Sequence, residues 1–421
     1  MAHLVALSLI LRVIVRKSSI LFLLLALLGC ESTLTAQPVS PGNHPADKLS
    51  FRPDDPVNAS AFDHFYNLEY DRAVQQFGEV LQRHPDDPFA VNHLLTAVLF
   101  RELYRMGVLN TGEYANDSFV KAAHEPIDPK VRQQIKDLAA RAFKLEEDRL
   151  SSSPNDVDTL YARGVTRAQF ATYTGLVEHA WLSALRNAVG ARHDHERVLE
   201  LAPNDVQAKL IVGAHNYVVG NLPWGLKVAG SVVGLGGNKE KGIQYLKECA
   251  SGSGETSVDA KILLILFLRR ERRYDEALPI VRGLISTYPH NLLMALEEGN
   301  LLRAAGKSSG AGTVYRKVWQ AGKEGHYSGL HYETAALSLG DLLREQKDYA
   351  GAASAYDLAN GVPQPDAEIL RKANLSAGQM YDLLRNRDLA VKKYEQVMAA
   401  GGDNPQAEEA RKYMKDPYKT D

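Results

Sequence analysis

The chain has 421 residues, 45% of them hydrophobic, with 49 Lys and Arg against 51 Asp and Glu. That length allows a sizeable core or a long repeat array, and a formal charge of −2 gives no electrostatic footing for nucleic acid. The two cysteines, Cys30 and Cys249, exclude a zinc ribbon or a disulfide scaffold.

The N-terminus reads as an address. Arg12, Arg16 and Lys17 precede an apolar run from Ile20 to Leu28, too short to span a bilayer well and suited to a signal-peptide core. It ends in Leu27-Leu28-Gly29-Cys30, which resembles a bacterial lipobox; the resemblance implies cleavage before Cys30 and a diacylated thiol. A cut after Leu34-Thr35-Ala36 is the ordinary alternative and fits less well. Met1–Leu11 is an unusual apolar preface, consistent with initiation nearer Val13 or Val15. Residues 1–29 are therefore read as a signal peptide. Residues 30–57, rich in Pro, Ser, Thr, Asp and Asn, are read as a flexible tether. Glu31 after the Cys, in place of Asp, leans toward the outer membrane over the inner. With Cys30 acylated, Cys249 has no intrachain partner and reads as a small buried residue.

From residue 58 the pattern is helical. Tyr70, Ala73, Phe77 and Pro85 mark a first hairpin, with Asp87 as N-cap and Pro88 in the next first turn. A helix over Phe89–Met106 follows, then a long connection, Val108–Asp128. The helix Lys130–Leu150 places Ile135, Leu138, Ala142, Glu146 and Leu150 on one face. In the next helix Leu160, Gly164 and Ala168 share a face, Gly164 allowing a close approach. Trp181–Leu201 is a second helix closed by Ala202-Pro203-Asn204-Asp205. Val206–Val219 follows, with Gly213 at a close-contact position.

Val258–Val318 carries the strongest period. Ala277, Val281 and Leu284 are followed 34 residues later by Ala311, Tyr315 and Val318. Upstream of each set lies another apolar helix, Ile262–Leu268 and Leu293–Ala304. Paired amphipathic helices at this period are the tetratricopeptide (TPR) pattern. A small Ala on the second helix lets the first approach, and a larger residue four positions on fills the groove. Gly340, Tyr349, Ala352, Tyr356 and Ala359 form a further repeat; Gly378, Tyr381, Ala390, Tyr394 and Val397 form the last. The Ala-to-Ala interval stretches to 41 and then 38, placing insertions near Gly322–Ser328 and Gly361–Pro365. Pro405–Met414 reads as a polar capping helix. The predicted fold is all-α, a TPR-like helical-hairpin solenoid of six to eight hairpins. It has a divergent half over 58–255 and a regular half over 256–421.

Residues 218–242 depart from the pattern. Asn221-Leu222-Pro223 ends a helix, Trp224–Val233 suits a short apolar helix, and Gly234–Gly237 releases the chain. The segment is either a helix filling a gap between repeats or a partner-contacting lip anchored by Trp224, with Lys227 beside it. It is a poor membrane span and no phosphate loop, since no strand precedes the glycines. Tyr161–Gly164, Glu178–Trp181, Leu201–Asp205, Gly220–Trp224, Gly234–Gly237 and Gly242–Leu246 together resemble a group of TPR proteins common in acidobacteria. Parts of this run are also similar to mitochondrial outer-membrane TPR proteins and to the periplasmic TPR lipoprotein associated with TRAP transporters. The resemblance implies the fold and no catalytic residue or cofactor.

Catalytic and metal patterns are missing from the sequence. His193-Asp194-His195-Glu196 offers its histidines at i and i+2, pointing apart on a helix; His179, His193 and Glu196 make the more plausible face, read as solvated and polar with no metal. Adjacent pairs such as Glu146-Glu147 and Glu297-Glu298 face apart and read as surface charge. Arg269 and Arg270 end a helix and complement its dipole, or meet a partner's acidic peptide or a lipid head group. Tyrosines such as Tyr315, Tyr356 and Tyr394 fall at packing positions. The expected function is noncatalytic: a lipid-anchored scaffold holding an unidentified envelope protein or peptide. The alternative is a periplasmic small-ligand-binding protein feeding a transporter, its cavity lined by Trp181, Tyr217 and Trp224.

Overall fold

The computed structural model describes residues 51–109, 126–221, 236–400 and 404–420; among them every long regular element is a helix. The helices begin where the sequence supplies caps. Asp55, Asp87, Asp128, Asp156, Asn291, Asp366 and Asn404 each accept a hydrogen bond from a first-turn amide of the helix that follows. Proline sits in the first turn of four of these helices, where its missing N–H costs nothing. None of the described helices is long and apolar enough to cross a membrane.

The chain divides into two compact units between Arg273 and Tyr274, one helix beyond residue 255. Unit 1 contains α1 (Pro56–Tyr66), α2 (Tyr70–Arg83), α3 (Pro88–Arg105), α4 (Pro129–Ser152), α5 (Val157–Leu176), α6 (Trp181–Leu201), α7 (Lys209–Gly220), α8 (Lys239–Ala250) and α9 (Ser257–Arg270). Successive helices pair as antiparallel hairpins, α1 with α2 through α7 with α8, and α9 packs on α8 and α7. Unit 2 contains α10 (Tyr274–Thr287), α11 (Leu292–Ala304), α12 (Ser308–Lys323), α13 (Glu333–Glu345), α14 (Tyr349–Asp357), α15 (Ala367–Leu383), α16 (Arg387–Ala399) and α17 (Pro405–Lys415). Each unit is a TPR-like stack of helical hairpins. The longer Ala-to-Ala intervals are absorbed by the loops after α12 and after the 3-10 turn Leu358–Gly361.

Many hairpins turn in one way. After α1 the Glu69 amide donates to the His64 carbonyl, and the same six-residue closure links Lys307 to Leu302, Asp348 to Leu343 and Asn386 to Tyr381. The residue before each donor is left-handed: Leu68, Gly306, Lys347 and Arg385, with φ between 59° and 73°. This is the Schellman closure, usually made by glycine. Three of these four positions carry another residue, so glycine spacing could not have located the turns.

Unit 2 repeats a second joint. Gly299, Gly340 and Gly378 on the first helices lie under the rings of Tyr315, Tyr356 and Tyr394, sixteen residues later on the second helices. A Cβ on any of these glycines would come within 2.3–2.5 Å of a ring carbon. Each tyrosine is fully buried, and each hydroxyl donates to an acceptor on its own first helix: Asn300 at 2.8 Å, Asp341 at 2.7 Å and Asp382 at 2.8 Å. Packing thus claims these tyrosines, as their offsets suggested.

Unit 1 packs differently at the joints α7–α8 and α5–α6. At α7–α8 backbone meets backbone: a Cβ on Gly242 would lie 2.4 Å from the Tyr217 amide nitrogen, and one on Gly220 as close to that of Lys239. At α5–α6, Gly164 lies under the buried His195 ring, the close approach expected of it. Cys249 is buried, as expected, and burial pushes its thiol up to about 11.

Candidate functional site

Of the candidate binding residues singled out in the sequence, Trp181, Tyr217, Arg269 and Arg270 are described. Cys30, Trp224 and Lys227 lie outside the described residues. Trp181 opens α6, half-buried, its ring 5.7 Å from that of His179. Tyr217 belongs to the interior: it is fully buried and stacks on Phe267 at 3.8 Å. Its hydroxyl donates to Glu271 at 3.0 Å, and Lys239 holds the other oxygen of that carboxylate at 2.6 Å. Arg269 and the exposed Arg270 close the last turn of α9.

Two polar readings are corrected. Glu146 and Glu297 are buried, not surface charges, while Glu147 is exposed and Glu298 half-buried. Glu146 occupies the apolar register of α4 because α3 and α5 supply its partners. The Thr166 hydroxyl lies 2.5 Å from Glu146 Oε1 and 2.7 Å from Asn92 Oδ1. One hydroxyl proton cannot serve both fully, and a proton on Glu146 would supply the second hydrogen bond. Desolvation lifts this carboxyl to about 7, against the pull of the Thr166 hydrogen bond and the Arg163 charge. In the 193–196 run His193 is exposed and Glu196 half-buried, as a solvated face requires, but the two residues between them turn inward. Asp194 is buried and bridges Arg163 at 2.6 Å and Arg167 at 2.7 Å; buried His195 lies 2.9 Å from the Ala191 carbonyl. Both side chains fix α6 on α5. No group of three or more His, Cys, Asp or Glu able to hold a metal occurs among the described residues.

In unit 2 the first helices carry a polar row beside the Gly–Tyr joints. Asn300 and Asp341 accept from the buried tyrosines, and Arg303 on α11 makes two hydrogen bonds to Glu345 on α13, at 2.9 and 2.5 Å. Arg344 lies 3.4 Å from Asp341. The side chains of Arg303, Asp341, Arg344 and Glu345 are between 27% and 54% exposed, so the row remains reachable from solvent.

In unit 1 a polar cluster forms where the first hairpins meet the loop before α9. Glu255, buried, lies 3.3 Å from His93 Nε2 on α3 and accepts from the Arg52 amide at 3.4 Å. Burial alone would raise Glu255; the His93 hydrogen bond and the charges of His93 and Arg52 hold it below the ordinary carboxylate value. The Arg52 guanidinium lies 4.3 Å from the centroids of both Phe89 and Tyr161, donates to Asp158 at 3.0 Å and stands 3.7 Å from Glu255. One turn into α9, Asp259 accepts from the Tyr66 hydroxyl at 3.1 Å, and desolvation lifts its carboxyl to about 7. Thr256-x-x-Asp259 has the spacing of a capping box. Thr256 makes no such cap, and Asp259 instead bonds an aromatic 193 residues away in sequence. The sequence carried a signal here, but one that pointed to local structure.

No protein-family model matches the chain, and no curated protein does. Among solved structures it is similar to PilF of Pseudomonas aeruginosa, at 17% identity over 61% of this chain and 96% of that one, with a TM-score of 0.35. It is also similar to a tetratricopeptide repeat protein from Parabacteroides merdae, at 15% identity over 75% and 97%, with a TM-score of 0.30. Yeast Tom70 is a third, at 12% identity over 86% and 89%, with a TM-score of 0.26.

Proposed function

We propose that the protein is a noncatalytic scaffold whose unit 2 holds a protein or peptide partner along its first-helix face, anchored to the cell envelope by lipid on Cys30. The observation that carries this reading is the polar row Asn300, Arg303, Asp341, Arg344 and Glu345. These side chains stand on adjoining helices that buried Gly–Tyr joints hold rigid. Helical-repeat arrays use such extended surfaces for binding. Interleaved charges of both signs suit a polar peptide better than an apolar small molecule. The lipobox-like Leu27–Cys30 motif supports the anchor, with the outer membrane the preferred address.

The test is affinity capture from solubilised envelope with the parent chain and an Arg303→Glu/Arg344→Glu variant. The reading expects one stoichiometric protein retained by the parent and lost by the variant at unchanged melting temperature. Equal retention by both would overturn the placement; retention of nothing would overturn the scaffold. For the anchor, a fatty-acid analogue should label the parent and not Cys30→Ser, and labelling of both would exclude acylation at Cys30.

A further inference from the structure

The surroundings of Arg52 are those of a receptor site. Arg52 lies three residues before Asp55, the cap of α1, on the segment that leads into the first helix. The walls around its guanidinium come from elsewhere: Phe89 from α3, Tyr161 and Asp158 from α5, and Glu255 from the loop before α9. The two rings are stacked, with centroids 6.0 Å apart, and give the planar cation two faces to lie over. The carboxylates face separate prongs: Asp158 accepts from Nη1 at 3.0 Å, and Glu255 stands 3.7 Å from Nη2, an ion pair without a hydrogen bond. Glu255 is itself fixed by His93, and both are more than nine-tenths buried. Asp158 is 70% exposed and Arg52 26%, so the seat opens to solvent on one side. An ammonium matches this geometry poorly: it has no plane to lay on the rings and no fork to span two carboxylates.

We propose that this seat is a binding site for a guanidinium cation, filled here by the chain's own Arg52, and that an arginine side chain of a protein partner competes for it. None of the walls belongs to the Arg52 segment, whose link to them besides the guanidinium is the Arg52 amide on Glu255 at 3.4 Å. Asp55 keeps that segment attached through Arg83 and His84 at 2.8 and 2.9 Å. An emptied seat leaves buried Glu255 with His93 but without the Arg52 charge, which favours capture of another cation. This site is independent of the first-helix face of unit 2.

The test is chemical rescue in the full-length chain. Arg52→Ala should melt several degrees below the parent. Agmatine at about 10 mM, some tenfold above a Kd on the order of 1 mM, should restore at least half of that loss. Butylammonium at equal ionic strength should not, and the parent should respond less than the variant. Adding Glu255→Gln to Arg52→Ala should abolish the rescue. Should Arg52→Ala fail to fold, Arg52→Lys keeps a cation in place and the same contrast is read. A melting temperature indifferent to agmatine, or equally responsive to butylammonium, would overturn the site. Acetyl-Gly-Arg-Gly-amide against its lysine counterpart decides the partner: rescue by the arginine peptide supports a protein ligand, and rescue by agmatine alone overturns that clause.

Discussion

In unit 2 three successive hairpins are closed by the same joint, a glycine beneath a buried tyrosine whose hydroxyl bonds back to the first helix. In unit 1 the corresponding joints are backbone on backbone at α7–α8, a histidine ring over Gly164 at α5–α6, and a carboxyl–hydroxyl–amide triad linking α3, α4 and α5. The difference teaches what repetition is for. A repeated joint gives a uniform surface on which side chains can vary, whereas a set of unlike joints gives an interior where charged groups are brought together. The first suits a binding face; the second produced the Glu255 cluster.

The largest expected effect breaks a joint in each unit. Gly242→Ala drives a Cβ into main chain that cannot swing aside, and should destabilise unit 1 by about 3 kcal/mol or more. Gly340→Ala in unit 2 meets only a ring, so about 1–3 kcal/mol is expected, part of it recovered by adding Tyr356→Leu. Urea titration followed by circular dichroism reads both; equal costs would erase the distinction between rigid and adjustable joints.

Protonation sharpens the comparison next. The Glu146 carboxyl titrates near 7 in the folded chain and near 4.5 unfolded. Between those values the folded state holds a proton that the unfolded state has released. Stability of unit 1 should therefore fall as pH rises from about 4.5 to about 7 and level off above, by up to about 3 kcal/mol. Glu146→Gln, neutral throughout, should remove that component of the slope, and melting curves across the range would show it unchanged if the triad carries no proton.

Smaller effects lie within unit 2. Tyr394→Phe leaves Asp382, a carboxylate 1% exposed, short of one donor, and should cost about 1–2 kcal/mol. Tyr356→Phe should cost less, about 1 kcal/mol or under, because Asp341 is 31% exposed and water replaces the hydroxyl. Double-mutant cycles with Asp382→Asn and Asp341→Asn would check the ranking. Smallest are the left-handed turn residues. Lys347→Gly and Arg385→Gly should stabilise by about 0.5–1 kcal/mol, because glycine meets no Cβ penalty at positive φ. Leu68→Gly in unit 1 should gain nothing, since Leu68 also buries its side chain. A thermal-shift series on the three variants would decide this.

The regular half was legible because its signals are local. Ala277, Ala311, Ala352 and Ala390 recur at intervals of 34, 41 and 38, and all four are fully buried. Helix Trp181–Leu201 begins and ends where its tryptophan and its Pro-containing loop place it. The candidate sites were far less legible. Arg52, Phe89, Tyr161 and Glu255 are scattered over 203 residues with no shared spacing, and nothing in a linear pattern makes a cation on the segment before the first helix meet a carboxylate before the ninth.

What the sequence determined by itself is the succession of helices, their caps and the hairpin period, because those follow from propensity and apolar spacing within a few turns of chain. What only the tertiary structure decided is the fate of the polar side chains. Glu146, Asp194, His195, Glu255 and Asp259 are charged-type residues that a linear reading assigns to solvent or to a local cap. Their burial depends on partners contributed by helices distant in sequence, and the cost of desolvating a charge is offset only where those partners are already in place.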